Sequence, residues 1–173
     1  MSNLVIEKLY IFSTQNKTAK VVEFDSGKNI VTSSQVDGNN KGKSVILKSI
    51  YHTLGADCKF DPKWDEKEKT YILKTIVDDK IMYFYRHDRL FRIMDENEKI
   101  IFQTINRSRL AEYLEGIFNF AVRLPNKEDD KLEIVPPVYN YLLNYIDQDG
   151  MNCTNFSSFN NLTQYSNYKE NVL

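Results

Sequence analysis

The chain contains few of the residues that build metal centres, disulfide frameworks and low-complexity segments. Its 173 residues include 2 Cys, 6 Gly, 4 Pro and 2 His. Two cysteines, Cys58 and Cys153, and two histidines, His52 and His87, are too few for a closed structural zinc site or a disulfide framework. The low Gly and Pro content excludes collagen-like and mucin-like chains. The sequence therefore predicts an ordinary folded chain that is not stabilised by a zinc site or by disulfide bonds.

A charge of one sign and a long apolar run are also missing. The 23 basic and 24 acidic residues give a net charge of -1, so no global electrostatic footprint for nucleic acid or an anionic membrane exists. The amino terminus has no basic stretch followed by an apolar run, and no segment approaches the ~18 apolar residues of a membrane span. We expect a cytoplasmic location and no membrane partner.

The composition that is present favours one folded domain containing a sheet. Hydrophobic residues make up 42% of the chain and charged residues 27%, which suits a single hydrophobic core. Aromatic residues reach 13%, and such residues are enriched in strands and well-filled layers.

The first half of the chain predicts a hairpin, a short strand, a polar loop and a helix. Residues 4–12 and 19–24 are β-rich and are separated by a polar turn, and residues 29–32 form a further short apolar run. Apolar residues in 44–54 follow the spacing of an amphipathic helix, and Gly55 stands where a C-cap glycine belongs. The expected order is therefore strand, loop, helix.

The second half predicts an antiparallel meander followed by a capped helix. Four β-like runs, 71–77, 81–85, 90–94 and 100–104, are separated by short polar pieces suited to hairpin turns. Asn106 can cap a helix over 107–120, which has one apolar face. An acidic linker follows at 126–130, and the sequence contains no internal repeat.

The motif Gly42-Lys43-Ser44 lies between the predicted strand and the predicted helix. In a phosphate-binding loop, glycine lets the backbone N–H groups wrap a phosphate, lysine reaches the β and γ phosphates, and serine coordinates Mg²⁺. The full pattern GxxxxGK[ST] requires glycine where this chain has Asp37, and glycine follows at Gly38. A surface turn leading into a helix is the alternative interpretation.

These segments resemble the ATPase heads of SMC, RecN-like and other coiled-coil ABC-type proteins. The resemblance lies in the opening hairpin, in 27–31 (GKNIV) and in the N-x-x-G-K-S pattern of 39–44. It implies an α/β P-loop NTPase fold, the N-terminal lobe of an ABC-type head, with a mixed sheet, an antiparallel meander and a few helices. It further implies binding of ATP and Mg²⁺ by Gly38, Asn39, Asn40, Lys41, Gly42, Lys43, Ser44 and Val45, with Lys43 also catalytic.

A second motif of this family is the Q-loop, whose glutamine helps hold Mg²⁺ and the attacking water. Residues 145–149 (YIDQD) stand where it would fall, so the resemblance assigns Gln148 a catalytic and metal-binding role beside the Ser44 hydroxyl. A plain turn at a strand end remains the alternative for Gln148.

The resemblance covers only the amino-terminal half of such a head. No LSGG-like signature occurs, no apolar strand ends in a Walker B Asp-Glu pair, and 71–79, which ends in two aspartates, is better explained by a hairpin turn. No heptad pattern begins before Leu173. We therefore interpret residues 1–150 as the N-terminal half of a head and 151–173 as a polar tail or truncated continuation.

This interpretation predicts an ATPase only when a C-terminal lobe or a second ATPase subunit completes the site. The resemblance implies work on DNA, in repair, chromosome maintenance or anti-phage defence. Two rivals remain open. One is a self-contained small P-loop phosphotransferase, similar to a nucleotide kinase, which predicts parallel βαβ units. The other is a non-enzymatic interaction module with an accidental GKS.

The remaining candidate residues have simpler structural interpretations. Arg86, His87 and Arg89 could contact a phosphate backbone, but a solvated hairpin turn accounts for them. His52 is expected to be a partly buried helix residue, and Trp64 is expected to cover an edge of the core. Cys58 could act as a nucleophile only with partners that the sequence does not identify.

Overall fold

The computed structural model describes residues 2–32, 42–128 and 130–142, together with Phe159, Leu162 and Tyr165. Eight strands, two α-helices and a 3-10 helix are found in these parts. The strands are β1 (Leu4–Ser13), β2 (Thr18–Glu23), β3 (Lys69–Val77), β4 (Lys80–His87), β5 (Leu90–Met94), β6 (Ile100–Thr104), β7 (Arg123–Pro125) and β8 (Leu132–Ile134), and the helices are α1 (Lys43–Thr53), α2 (Arg107–Phe118) and the 3-10 helix Pro137–Tyr141.

Six strands form one sheet in the order β2-β1-β3-β4-β5-β6, and β7 and β8 form a separate hairpin. Every pairing in the six-stranded sheet is antiparallel, so the predicted hairpin and meander are confirmed. The expected mixed sheet is not found in the described parts of the chain. β3 alternates strictly between buried and half-buried residues, the pattern of a strand with one face on the core.

Both helices pack against the same face of the sheet. On α1, the His52 ring meets Tyr71 of β3, with centroids 5.0 Å apart. On α2, Phe118 stacks with Phe84 of β4 at 6.0 Å. Leu73 pairs with Phe84 and Tyr71 with Arg86 in the register of these strands, which places all four side chains on this core face.

Capping residues determine where the two α-helices begin and end. Gly55 ends α1 with φ +102°, a left-handed conformation that glycine adopts without strain. Asn106 accepts hydrogen bonds from the N–H groups of Ser108 and Arg109 at the start of α2. The second helix ends at Phe118, two residues earlier than predicted, because Asn119 takes a left-handed conformation with φ +48°.

The predicted strand at 29–32 is wrong, since these residues form no strand. Ile30 is 83% exposed. Asn29 accepts a hydrogen bond from the Asp25 N–H at 2.8 Å and donates to the carbonyls of Asp25 and Gly27. These local bonds compete with a sheet ladder, so the chain turns here instead of joining the sheet.

Candidate functional site

The first turn of α1 carries the Gly42-Lys43-Ser44 motif. Gly42 precedes the helix with φ +74° and ψ 12°, and its carbonyl accepts the first helical bond from the Ile46 N–H at 3.3 Å. Ser44 is exposed and Lys43 is half-buried. The left-handed conformation at Gly42 explains the need for glycine, since a residue with a Cβ would be strained there.

No acidic residue lies in the first turn of α1, and no described side chain caps its N–H groups. A helix N-terminus carries a partial positive charge and unpaired N–H donors. The Lys43 ammonium adds a full positive charge at the same end. This end of α1 is therefore chemically suited to an anion.

The structure describes four of the predicted site residues, namely Gly42, Lys43, Ser44 and Val45, and brings them together in one helical turn. The predicted residues Gly38, Asn39, Asn40, Lys41 and Gln148 lie outside the described residues. Their assignments stay predictions.

A second cluster, which the sequence interpretation missed, lies at the other end of α1. Arg86 of β4 is only 4% exposed, so its assignment to a solvated turn is wrong. Its Nη1 donates to the carbonyls of His52 and Ala56 at 2.6 and 2.9 Å, and its Nε donates to the carbonyl of Asp88 at 3.1 Å. Arg86 thereby satisfies carbonyls where α1 ends.

Asp57 joins Arg86 to α2. Its carboxylate accepts a bidentate pair of hydrogen bonds from Arg107, the first residue of α2, and lies 3.7 Å from Nη2 of Arg86. Burial, with the positive charge of Arg107 as the next cause, lowers the pKa of Arg86 to about 10. Arg86 follows Phe84 by two residues and so shares its core face; this alternation was the signal available in the sequence.

His52 is a buried histidine of the site whose pKa is strongly shifted. It is 4% exposed and its ring meets Phe60 at 5.2 Å as well as Tyr71. Neither ring nitrogen has a hydrogen-bond partner among the described residues. Burial, followed by the charges of Arg86 and Arg107, lowers the pKa of His52 to about 2, so the ring stays neutral at physiological pH.

A cavity of about 170 Å³ lies at this end of α1. It is lined by His52, Asp57, Arg86 and Arg107, and also by Cys58. The Cys58 thiol donates to the carbonyl of Lys48 at 3.3 Å. The charged side chains that line the cavity are the basic Lys67, Arg86, Arg89 and Arg107 and the acidic Asp57, Glu66 and Asp88.

The other predicted candidates are structural. Trp64 packs against the core as expected, and its indole Nε1 donates to the Tyr71 hydroxyl at 2.9 Å. Nδ1 of His87 lies 3.2 Å from the Thr70 hydroxyl and from the Lys69 carbonyl.

No group of His, Cys, Asp and Glu among the described residues could hold a metal ion, and no helix of these parts has the length and apolarity to span a membrane.

The comparisons with known proteins give two relatives. No protein-family model matches the chain, and no solved structure does. The chain is 43% identical to Lamassu protein LmuB of Bacillus cereus (strain VD014) over all 173 residues, which make up 30% of that protein. It is 28% identical over 147 residues to Lamassu protein LmuB of Bacillus sp. (strain NIO-1130), covering 84% of this chain and 25% of that protein. The chain is therefore homologous to Lamassu protein LmuB and spans less than a third of the length of these relatives.

Proposed function

We propose that this chain is the ATP- and Mg²⁺-binding half of an SMC-like ATPase head that serves anti-phage defence. The observation that carries the proposal is Gly42-Lys43-Ser44 at the start of α1, with Gly42 in the left-handed conformation that this motif needs. The motif stands at the end of a helix that packs on a sheet, where phosphate-binding loops occur.

Each residue in the first turn of α1 has a separate role in binding the nucleotide. The N–H groups of Lys43, Ser44 and Val45 face the phosphates, the Lys43 ammonium balances their charge, and the Ser44 hydroxyl ligates Mg²⁺. The predicted residues 38–41 complete the loop, and Gln148 orients water. When bound, ATP supplies the phosphoanhydride that such a head cleaves.

The proposed half-site binds nucleotide but does not turn it over alone. Phosphoryl transfer depends on positioned charge and an oriented water, and the sequence has neither a signature motif nor a Walker B pair. We propose that a complementary C-terminal lobe or a second ATPase subunit supplies them. ATP then holds the two halves together.

The role in defence is supported by the relatives. The resemblance of the sequence implied DNA repair, chromosome maintenance or anti-phage defence, and the similarity to Lamassu protein LmuB along the whole chain favours the last of these. DNA remains the proposed substrate of the assembled protein.

Titration calorimetry with ATP and Mg²⁺ tests the nucleotide site. We expect saturable binding by the wild-type chain and a loss of affinity of about 100-fold in Lys43→Ala, because the ammonium that faces the phosphates is removed. Lys20→Ala, which removes an exposed lysine of β2, is the matched control and should bind like wild type. Equal absence of binding in all three proteins would contradict nucleotide binding by this chain.

A second candidate is an interaction module that binds no nucleotide. It is favoured by the exposed, non-strand segment at 29–32, since a strand usually leads into a phosphate-binding loop. The same titration decides between the two proposals. The nucleotide-kinase rival is disfavoured, because the described sheet contains no parallel pair.

A further inference from the structure

The cavity at the C-terminal end of α1 has an unbalanced positive floor. Arg86 and Arg107 share the Asp57 carboxylate, which is bidentate with Arg107 and 3.7 Å from Arg86. Among the described residues, no other carboxylate forms an ion pair with either guanidinium. The side chain of Arg86 is 5% exposed, and its Nη2 has the Asp57 carboxylate only at 3.7 Å, beyond hydrogen-bond distance. An anion that enters the cavity would accept a hydrogen bond from this atom.

Arg86 retains a hydrogen-bond donor that is not used by the described residues and is therefore available to a ligand. Nη1 and Nε of Arg86 are occupied by backbone carbonyls, which leaves Nη2 for Asp57 and for a ligand. The ring nitrogens of His52 also lack partners in the described parts of the chain, but both are fully buried and are not counted among the donors available to a ligand.

The rim of the cavity extends this donor set. Arg89, in the turn between β4 and β5, and Lys67, in the loop before β3, are exposed and line the opening. Glu66 and Asp88 also line it. The four cations and three carboxylates leave one excess positive charge, which suits one small anion and disfavours a polyanion.

The size of the cavity sets the class of ligand. Its volume of about 170 Å³ is below the ~300–1,000 Å³ of pockets that enclose drug-sized ligands. A tetrahedral oxyanion fits with a few waters, and its oxygens can accept from Nη2 of Arg86 and from the exposed guanidinium of Arg89. We propose that this cavity is a phosphate-group site in which Arg86 and Arg107 form the floor and Arg89 closes the rim.

This site is separate from the proposed nucleotide site. The two lie at opposite ends of α1, whose 11 residues span about 16 Å. The two proposals can therefore fail independently, and the Lys43→Ala chain serves as a test of this separation.

Calorimetric titration of the 173-residue chain at low salt tests the proposal, with inorganic phosphate and AMP as probes. We expect saturable binding in the wild type, with affinity at least tenfold lower in Arg89→Gln and Arg107→Gln, since each loses a charged donor. Arg89→Gln changes an exposed turn and should leave the fold intact. Arg109→Gln removes the same charge from α2 outside the cavity and should bind phosphate as wild type does. Phosphate binding that persists in Lys43→Ala assigns it to the cavity, whereas its loss in Lys43→Ala assigns it to the first turn of α1 and overturns the proposal.

The two probes distinguish the source of the phosphate. Binding of inorganic phosphate alone identifies a free-anion site, and binding of AMP that survives Lys43→Ala identifies a site for a phosphate on an ester. Absence of saturable binding of both probes by the wild type would overturn the proposal. An equal loss in Arg109→Gln would overturn it too, because binding would then reflect general charge.

Discussion

At the scale of single residues, Arg86 shows how a charge is accommodated next to the core. Its guanidinium lies 4.8 Å from the centre of the Phe91 ring and bonds the carbonyls of His52 and Ala56. The side chain thus adds a donor to each of these carbonyls, and that of His52 also accepts from the Gly55 N–H at 3.1 Å. The same guanidinium lines the cavity, so the core and the proposed phosphate site share one group.

His52 should make the stability of the chain sensitive to acid. Its pKa is about 2 in the folded chain against the ordinary 6.5, so the unfolded chain binds a proton that the folded chain excludes. The contribution of the neutral His52 ring to the free energy of unfolding is therefore fully present above pH 6.5, and it is lost as the pH falls from 6.5 toward 2. Between pH 7.5 and pH 5.0, we expect His52 to account for a loss of about 2 kcal/mol in the free energy of unfolding.

Urea unfolding at the two pH values measures this loss. His52→Leu should lack it, and His87→Gln, the matched control, should retain it. An equal loss in the wild type and His52→Leu would contradict the prediction.

At the scale of elements, hairpins and caps were predictable because they depend on near neighbours. The alternation in β3 to β6 and the polar pieces between them predicted the meander that is observed. The turn at Asp78 and Asp79, which resembled a Walker B end, adopts positive φ values of 46° and 67° and joins β3 to β4. Residues 29–32 have a strand-like composition, but no described strand pairs with them and their polar neighbours bond locally.

Asn106 offers a test of how much a cap contributes to α2. Its side chain accepts from the N–H groups of Ser108 and Arg109 at 2.8 and 3.1 Å. Asn106→Ala removes this acceptor and should lower the free energy of unfolding by about 1 kcal/mol. Asn106→Asp should restore the stability, because a carboxylate accepts the same bonds. Chemical denaturation measures both, and an Asn106→Ala variant as stable as wild type would refute the prediction.

At the scale of the whole molecule, the core is assembled from segments far apart in the chain. The Tyr139 hydroxyl donates to the carbonyl of Leu162 at 2.9 Å, and the Tyr141 hydroxyl donates to that of Leu54 at 3.1 Å. Phe159, Leu162 and Tyr165 are 6%, 4% and 3% exposed. Part of the segment interpreted as a polar tail thus packs into the same core as the sheet.

Leu162→Ala tests this packing. Removing a buried leucine should cost about 2–4 kcal/mol, from lost burial and the cavity left behind. Leu132→Ala is the matched control, since Leu132 is 70% exposed and its truncation should change stability by less than about 0.5 kcal/mol. Equal unfolding midpoints for the two variants in urea would show that residue 162 does not belong to the core.

Local patterns in the chain were enough to predict the β1–β2 hairpin, the meander from β3 to β6, the two helices and the caps Gly55 and Asn106, but not the β7–β8 hairpin, whose turn was interpreted as an acidic linker. Each of the predicted features depends on residues a few positions apart, where spacing and backbone preference act. The bonds from Arg86 to the end of α1, its link through Asp57 to α2 and the cavity around His52 came only from the fold. They join residues about 30 to 50 positions apart, and such contacts exist only once the sheet has brought α1 and α2 onto one face.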